Sequence, residues 1–138
     1  MSVDRPILVL FFRLDSGREP VMNWLRGMDA ASRRTIGEDI KTLQFGWPVG
    51  MPLARKMDTD LWELRSNLAS GITRTFFTIH EDNIVLLHGF VEKSQKTPAN
   101  ELATAKRRLT KFSDTAMDAP SRETRRLHRL TMKPASST

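Results

Sequence analysis

Four basic side chains fall close together in the stretch Leu61 to Pro98, LWELRSNLASGITRTFFTIHEDNIVLLHGFVEKSQKTP. Arg65 closes one apolar segment, Arg74 lies inside the next, and Lys93 and Lys96 follow a third. A small sheet made of these segments brings the four cations to one region. Guanidinium groups present planar, multiple donors that suit a phosphate and the charge that develops on it during transfer. The pattern points to a phosphodiester, and so to RNA. Each arginine also has a plainer explanation, since charged strand residues usually face water. Arg65 has Glu63 and Glu92 as possible partners, and Arg74 can simply cap a sheet surface. It is the combination that favours chemistry.

His88 is the one histidine inside an apolar segment, and an imidazole there can act as a general acid or base near neutral pH. Its plainer role is a core histidine bonded to a backbone carbonyl. Lys93, Gln95 and Lys96 lie just before a helix start near Pro98, where a helix N-terminus and flanking lysines favour an anion. Farther along, Arg107 and Lys111 stand on the outer side of that helix, as a solvated face or a contact for nucleic-acid backbone. Three histidines, no cysteine and no HExxH spacing offer nothing for a metal centre. The expectation is chemistry with no metal and no cofactor.

The elements that hold these residues can be read from periodicity. Ile7 to Arg13 is a continuous apolar run of strand length. Pro20 suits a helix first turn, and Val21, Trp24, Leu25 and Met28 come after it at helical spacing. Asp29 is a candidate N-cap for a second helix with Ile36, Ile40 and Leu43 on its apolar stripe. The segment Trp47 to Thr59 carries two prolines and a glycine and reads as a loop. Strands come next at Leu61–Arg65, Ile72–His80 and Ile84–Val91, with Glu81-Asp82-Asn83 making a tight turn. Strand alternation puts Arg65 with Leu61 and Glu63, Arg74 with Phe76, and His88 with Ile84, Leu86 and Phe90. Thr97 caps a last helix whose buried stripe is Leu102, Ala105, Leu109 and Phe112, leaving Lys106, Arg107, Arg108 and Lys111 largely outside. The reading is α+β: a small, antiparallel-rich sheet in the order β-α-α-β-β-β-α, with helices on one face. Residues 1–112 form the domain, and residues 113–138 form a basic, flexible tail.

Composition sets the limits. At 138 residues the chain has room for one core. A net charge of +6 and a pI near 10.3 favour acidic partners. The 22 Lys and Arg are spread along the chain rather than gathered into a polybasic arm, so charge placement matters more than its sum. Without cysteine there are no disulfides, and a reducing compartment fits. The apolar runs are too short to span a bilayer, and MSVDRP does not read as a signal peptide. The expected address is the cytoplasm.

LWELR, an arginine in the next strand, and then IVLLHGFVEKSQKTP with a basic helix resemble the HigB-like, phage-associated branch of the RelE/ParE toxin superfamily. The resemblance covers Ile7 to Phe112, and the HGF-x-x-K-x-x-K-T-P stretch is its most specific part. It implies the superfamily's β-α-α-β-β-β-α fold and the toxin of a type II toxin–antitoxin system. It implies a ribosome-dependent endoribonuclease that cuts translated mRNA without metal, by attack of a 2′-hydroxyl on the adjacent phosphate. It also implies a cognate antitoxin with a helix-turn-helix domain and a toxin–antitoxin hetero-oligomer. By position Arg65 and Arg74 match the family's strand arginines, Lys93 and Lys96 its C-terminal basic motif, and Lys56 the lysine before the strand triplet. Several relatives place a Tyr or His near the C-terminal end, and this chain has no tyrosine. His88 or Lys93 is left for proton transfer. A ParE-like inhibitor of DNA gyrase, or a non-catalytic binding module, shares the scaffold and stands as the alternative.

Overall fold

A run of apolar residues becomes the first strand, β1 (Leu8–Phe11), and the chain then turns into two helices, α1 (Pro20–Arg26) and α2 (Ala30–Gly46). Four strands come next, β2 (Ala54–Asp58), β3 (Leu61–Leu68), β4 (Gly71–His80) and β5 (Asn83–Val91), and then a long helix, α3 (Ala99–Asp118). This computed structural model describes residues 7–48, 50–93 and 97–118. The fold is α+β, as the periodicity predicts.

Local chemistry sets the joints. Pro20 opens α1, where a missing N–H costs nothing. Asp29 caps α2: its Oδ2 accepts from Ser32 N at 3.2 Å and its Oδ1 from Ser32 Oγ at 2.6 Å. The β4–β5 turn places Glu81 and Asp82 at φ of 50° and 63°, which matches the right-handed twist of the paired strands.

The five strands lie in the order β1-β5-β4-β3-β2. β1 runs parallel to β5, and the other pairs are antiparallel. β2 corrects the expected loop over Trp47–Thr59. Two prolines obscured it, yet Ala54, Arg55 and Lys56 pair with Leu64, Glu63 and Trp62. Short edge strands with charged residues carry little periodic signal of their own.

A second correction concerns the helices, which cover both faces of the sheet. On one face α1 and α2 pack Val21, Ile36, Ile40 and Leu43 against Val9, Phe11, Leu64, Phe77, Ile84 and Leu86. On the other α3 packs Ala105, Phe112 and Ala116 against Leu10, Phe12, Leu61, Phe76, Val85, Leu87 and Phe90. The consecutive pairs Phe76-Phe77 and Leu86-Leu87 are fully buried, one residue to each face. A sheet apolar on both sides needs two covers, and each buried Leu or Phe side chain contributes roughly 1.5–3 kcal/mol of transfer free energy. α3 also continues past Phe112 to Asp118, with Ala116 buried. The rest of the expected tail lies outside the described residues.

The β4–β5 register shifts between Phe76 and Phe77, so that Phe76 faces His88 and Phe77 faces Leu86. The extra residue on β5 re-aims the side chains after it. His88 therefore joins Phe76 and Phe90 on the α3 face rather than Ile84 and Leu86. Gly89 is left facing α1, where the ring of Trp24 lies directly on it: an added Cβ would sit 2.1 Å from Trp24 Cζ3. Gly89→Ala is expected to lower stability by about 1–3 kcal/mol through overpacking. A urea midpoint equal to that of the parent would contradict this contact.

Candidate functional site

Under the start of α3 the sheet carries a row of charge. Arg65 on β3 lies directly opposite Arg74 on β4, which lies opposite Phe90 on β5. One step along, Arg55, Glu63, Phe76 and His88 are cross-strand neighbours. Cross-strand partners share a face, so both rows look towards α3.

Arg74 is 3% exposed and held from several sides. Its Nη2 lies 2.6 Å from Glu92 Oε1, and its Nη1 lies 3.3 Å from both oxygens of Glu63. Nη1 also donates to Thr97 Oγ1 at 2.8 Å, and that hydroxyl donates on to Glu63 Oε2 at 3.2 Å. Burial works against the charge of this guanidinium, and the carboxylates of Glu92 and Glu63 outweigh it, raising its pKa above the ordinary arginine value. Arg74 thus ties β3, the end of β5 and the start of α3 together.

Arg65 differs. It is half-buried, and among the described residues its side chain has no hydrogen bond or ion pair. Arg74 has taken both of the carboxylates that the sequence offers to Arg65. Arg55, which sequence reasoning passed over, comes within 3.9 Å of Glu63 and is 45% exposed in its side chain. Lys93 is exposed at the end of β5. Gln95 and Lys96 lie outside the described residues. Lys56 pairs with Trp62 and so faces α1 and α2; its Nζ stands 5.6 Å from the Trp62 ring centre. It does not join the row.

His88 is fixed through both ring nitrogens. Arg108 Nη1 lies 3.2 Å from Nδ1, and Glu101 Oε1 lies 2.6 Å from Nε2. Because arginine can only donate, Nδ1 is the acceptor and Nε2–H the donor, which makes the imidazole neutral. Its ring stacks with Phe76 and Phe90 at 6.4 and 6.1 Å between centres. Burial, the largest influence, holds the pKa of His88 below the ordinary 6.5; Arg108 and Arg107 act in the same direction, and Glu101 opposes them. A depressed histidine binds its proton more tightly in the unfolded chain, so this group makes stability fall as pH drops below about 6.5. His88→Gln is expected to flatten the urea midpoint against pH between about 6.5 and 5, the window under the free-histidine value. An unchanged slope would remove His88 as its source.

The basic side of α3 is partly spent on the fold. Lys106 Nζ lies 2.8 Å from Asp58 Oδ2, and Lys111 Nζ lies 2.8 Å from Asp15 Oδ2. Arg107 is exposed and among the described residues reaches Thr104 Oγ1 alone, at 3.4 Å. Arg108, expected to face outward, is half-buried and donates to Leu87 O at 2.9 Å. Among the described residues no group of three or more His, Cys, Asp or Glu is placed to hold a metal ion. No helix among them is long and apolar enough to cross a membrane.

With this arrangement in view, a comparison with protein-family models matches residues 23–110 to the family described as phage derived protein Gp49-like (DUF891). The match spans α1 to most of α3, well over half of the 138 residues. The chain belongs to that family. Gp49-like proteins are phage-derived, toxin-like modules associated with toxins of the RelE and HigB type. A search of curated proteins finds no match. The matched segment holds Arg55, Glu63, Arg65, Arg74, His88, Glu92, Thr97, Glu101 and Arg108, the whole of the charged row and the histidine relay. Glu63 and Glu92 are the members whose importance sequence reasoning understated. The signal was present: a glutamate alternating with apolar residues along a strand is costly to bury unless a cation meets it.

Proposed function

We propose that this Gp49-like chain is the toxin of a type II toxin–antitoxin pair, a HigB-like endoribonuclease that cuts translated mRNA on the ribosome. The observation that carries the reading is Arg65: a half-buried guanidinium on a sheet face, its donors unspent among the described residues, set beside an arginine whose charge two glutamates already balance. Arg65 takes the scissile phosphate, with Lys93 and Arg55 adding positive charge at the same sheet end. Arg74 is a positioning residue that holds β3, β5 and α3 in register around it. The reaction is attack of a ribose 2′-oxygen on the adjacent phosphorus; the bond to the next nucleotide's 5′-oxygen breaks, the 2′-hydroxyl loses its proton and the departing oxygen gains one. Positioning and electrostatics supply much of the rate. His88 is neutral and engaged at both nitrogens, and the exposed Lys93 is the group left for proton transfer. A cognate antitoxin with a helix-turn-helix domain neutralises the toxin in a hetero-oligomer in the cytoplasm.

One observation favours a second reading. Arg74 and His88, the residues with the most obvious catalytic chemistry, are both bound to protein groups, as a scaffold that only binds would have them. A ParE-like gyrase inhibitor needs no reacting groups. Purified protein added to translating ribosomes, and separately to a gyrase supercoiling reaction, distinguishes the two. The nuclease reading expects a message cut at translated codons and unaffected supercoiling. Intact message with blocked supercoiling would replace it by the gyrase reading.

A further inference from the structure

β1 pairs with β5 only as far as Phe11 and Leu86, with one more bond from Phe12 N to Leu86 O at 2.9 Å. Beyond that point no strand among the described residues lies beside the outer edge of β5, and α1 and α3 approach it from opposite faces. Trp24 of α1 lies against Gly89, while Arg108 of α3 reaches Leu87 O. Between them an open cleft of about 440 Å³ is lined by Leu14, Arg18, Pro20, Asn23, Trp24 and Arg108.

The electrostatics of this cleft are unbalanced. Arg74 is buried with two carboxylates. Arg108 is half-buried, and among the described residues no carboxylate meets it: one of its nitrogens serves a carbonyl and a neutral imidazole, and Glu101 stands on the far side of that ring. Burial, and then the neighbouring charge of Arg107, lower its pKa below the ordinary arginine value. A cation removed from water without a counter-charge is costly, and an incoming anion relieves that cost. Arg18, on the opposite wall, is exposed and has no side-chain partner among the described residues. The unspent donors of two arginines that line one cleft suit phosphate oxygens. Trp24, packed against Gly89, supplies an aromatic surface, and Asn23 supplies an amide donor and acceptor. Phosphate recognition next to an indole face is chemistry that suits nucleotide binding.

We propose that the cleft between α1 and α3, with Arg18 and Arg108 on the phosphate and Trp24 and Asn23 on the base, binds a nucleoside phosphate, either free or as one unit of a single RNA strand. The site is separate from the Arg65–Arg74 row and does not depend on cleavage there.

The test is calorimetric titration of the full chain with adenosine 5′-monophosphate and with a short single-stranded RNA, for the parent, Arg18→Gln and Arg108→Lys. Arg18 is exposed, so its variant keeps the fold. Charge-assisted bonds of the usual strength predict that Arg18→Gln weakens binding about tenfold or more. It should also reduce the salt slope for RNA by about one. Loss for both ligands assigns the cleft to nucleotides at large, and loss for RNA alone assigns it to a strand. RNA affinity and salt slope unchanged in both variants, with no nucleotide bound by the parent, would overturn the site. That result stands apart from the nuclease reading, because message cleavage by the parent is scored independently.

Discussion

Arg74→Ala is expected to destabilise this protein by about 3–5 kcal/mol, the usual cost of removing one partner from a buried ion pair. The variant leaves Glu63, 3% exposed, and Glu92, 10% exposed in its side chain, as neighbouring carboxylates without their cation. It also removes the donor that fixes Thr97 before α3. A small domain has a total stability of only about 5–15 kcal/mol, so a loss of this size removes a large share of it and can by itself lower the amount of folded toxin. Loss of toxicity in Arg74→Ala alone therefore says nothing about catalysis. Urea unfolding of the parent, Arg74→Ala, and Arg74→Met combined with Glu63→Gln and Glu92→Gln separates the two causes. The triple variant is expected to recover most of the loss, because uncharged groups tolerate the same burial. An Arg74→Ala midpoint equal to the parent's would mean that the carboxylates do not depend on Arg74.

Arg65→Gln should behave in the opposite way. The side chain is half-buried and spends none of its donors on the described residues, so its removal changes stability by no more than about 0.5 kcal/mol. It even relieves two arginines standing directly across a ladder, an arrangement that costs free energy. Removing a donor aimed at transition-state charge lowers a rate by about 100- to 1,000-fold. The expected phenotype is a folded, stable protein that has lost message cleavage. A rate within a few-fold of the parent would move the phosphate away from Arg65. If Arg65→Gln instead unfolded the protein, the contrast with Arg74 would disappear.

Much of the architecture could be read from the residues. Pro20, Asp29 and the Leu102–Phe112 stripe announced their helices because capping and 3.6-residue periodicity are local properties. β2 escaped, since Arg55, Lys56 and Asp58 show no apolar alternation and only the ladder with β3 makes them a strand. The second helical layer escaped for a related reason: Phe76-Phe77 and Leu86-Leu87 hint at two buried faces, but which helix covers which face is a tertiary fact. The bulge in β5 then parted His88 from its expected neighbours Ile84 and Leu86 while leaving it beside Phe90, because a single extra residue breaks a period-2 argument at that point.

The charged residues were recognised as a group, but their partners could not be. By sequence Glu63 and Glu92 are equally available to Arg65, yet register and burial give both to Arg74. Arg108 looked like a surface residue by helical spacing. Its inward turn is marked by a bond to the carbonyl of Leu87, the extra residue of the β5 bulge. Pairings of this kind depend on distances across the sheet that no local pattern encodes.

The proposed cleavage of translated RNA by this Gp49-like protein rests on Arg65, on a framework held by Arg74. The most direct measurement is induced expression in a bacterial host of the parent and of Arg65→Gln, at equal levels of folded protein, with mapping of new mRNA 5′ ends. Codon-phased ends in translated messages are expected with the parent and should be absent with Arg65→Gln. Growth arrest by the parent with its messages intact, or the same ends appearing in both strains, would contradict that claim.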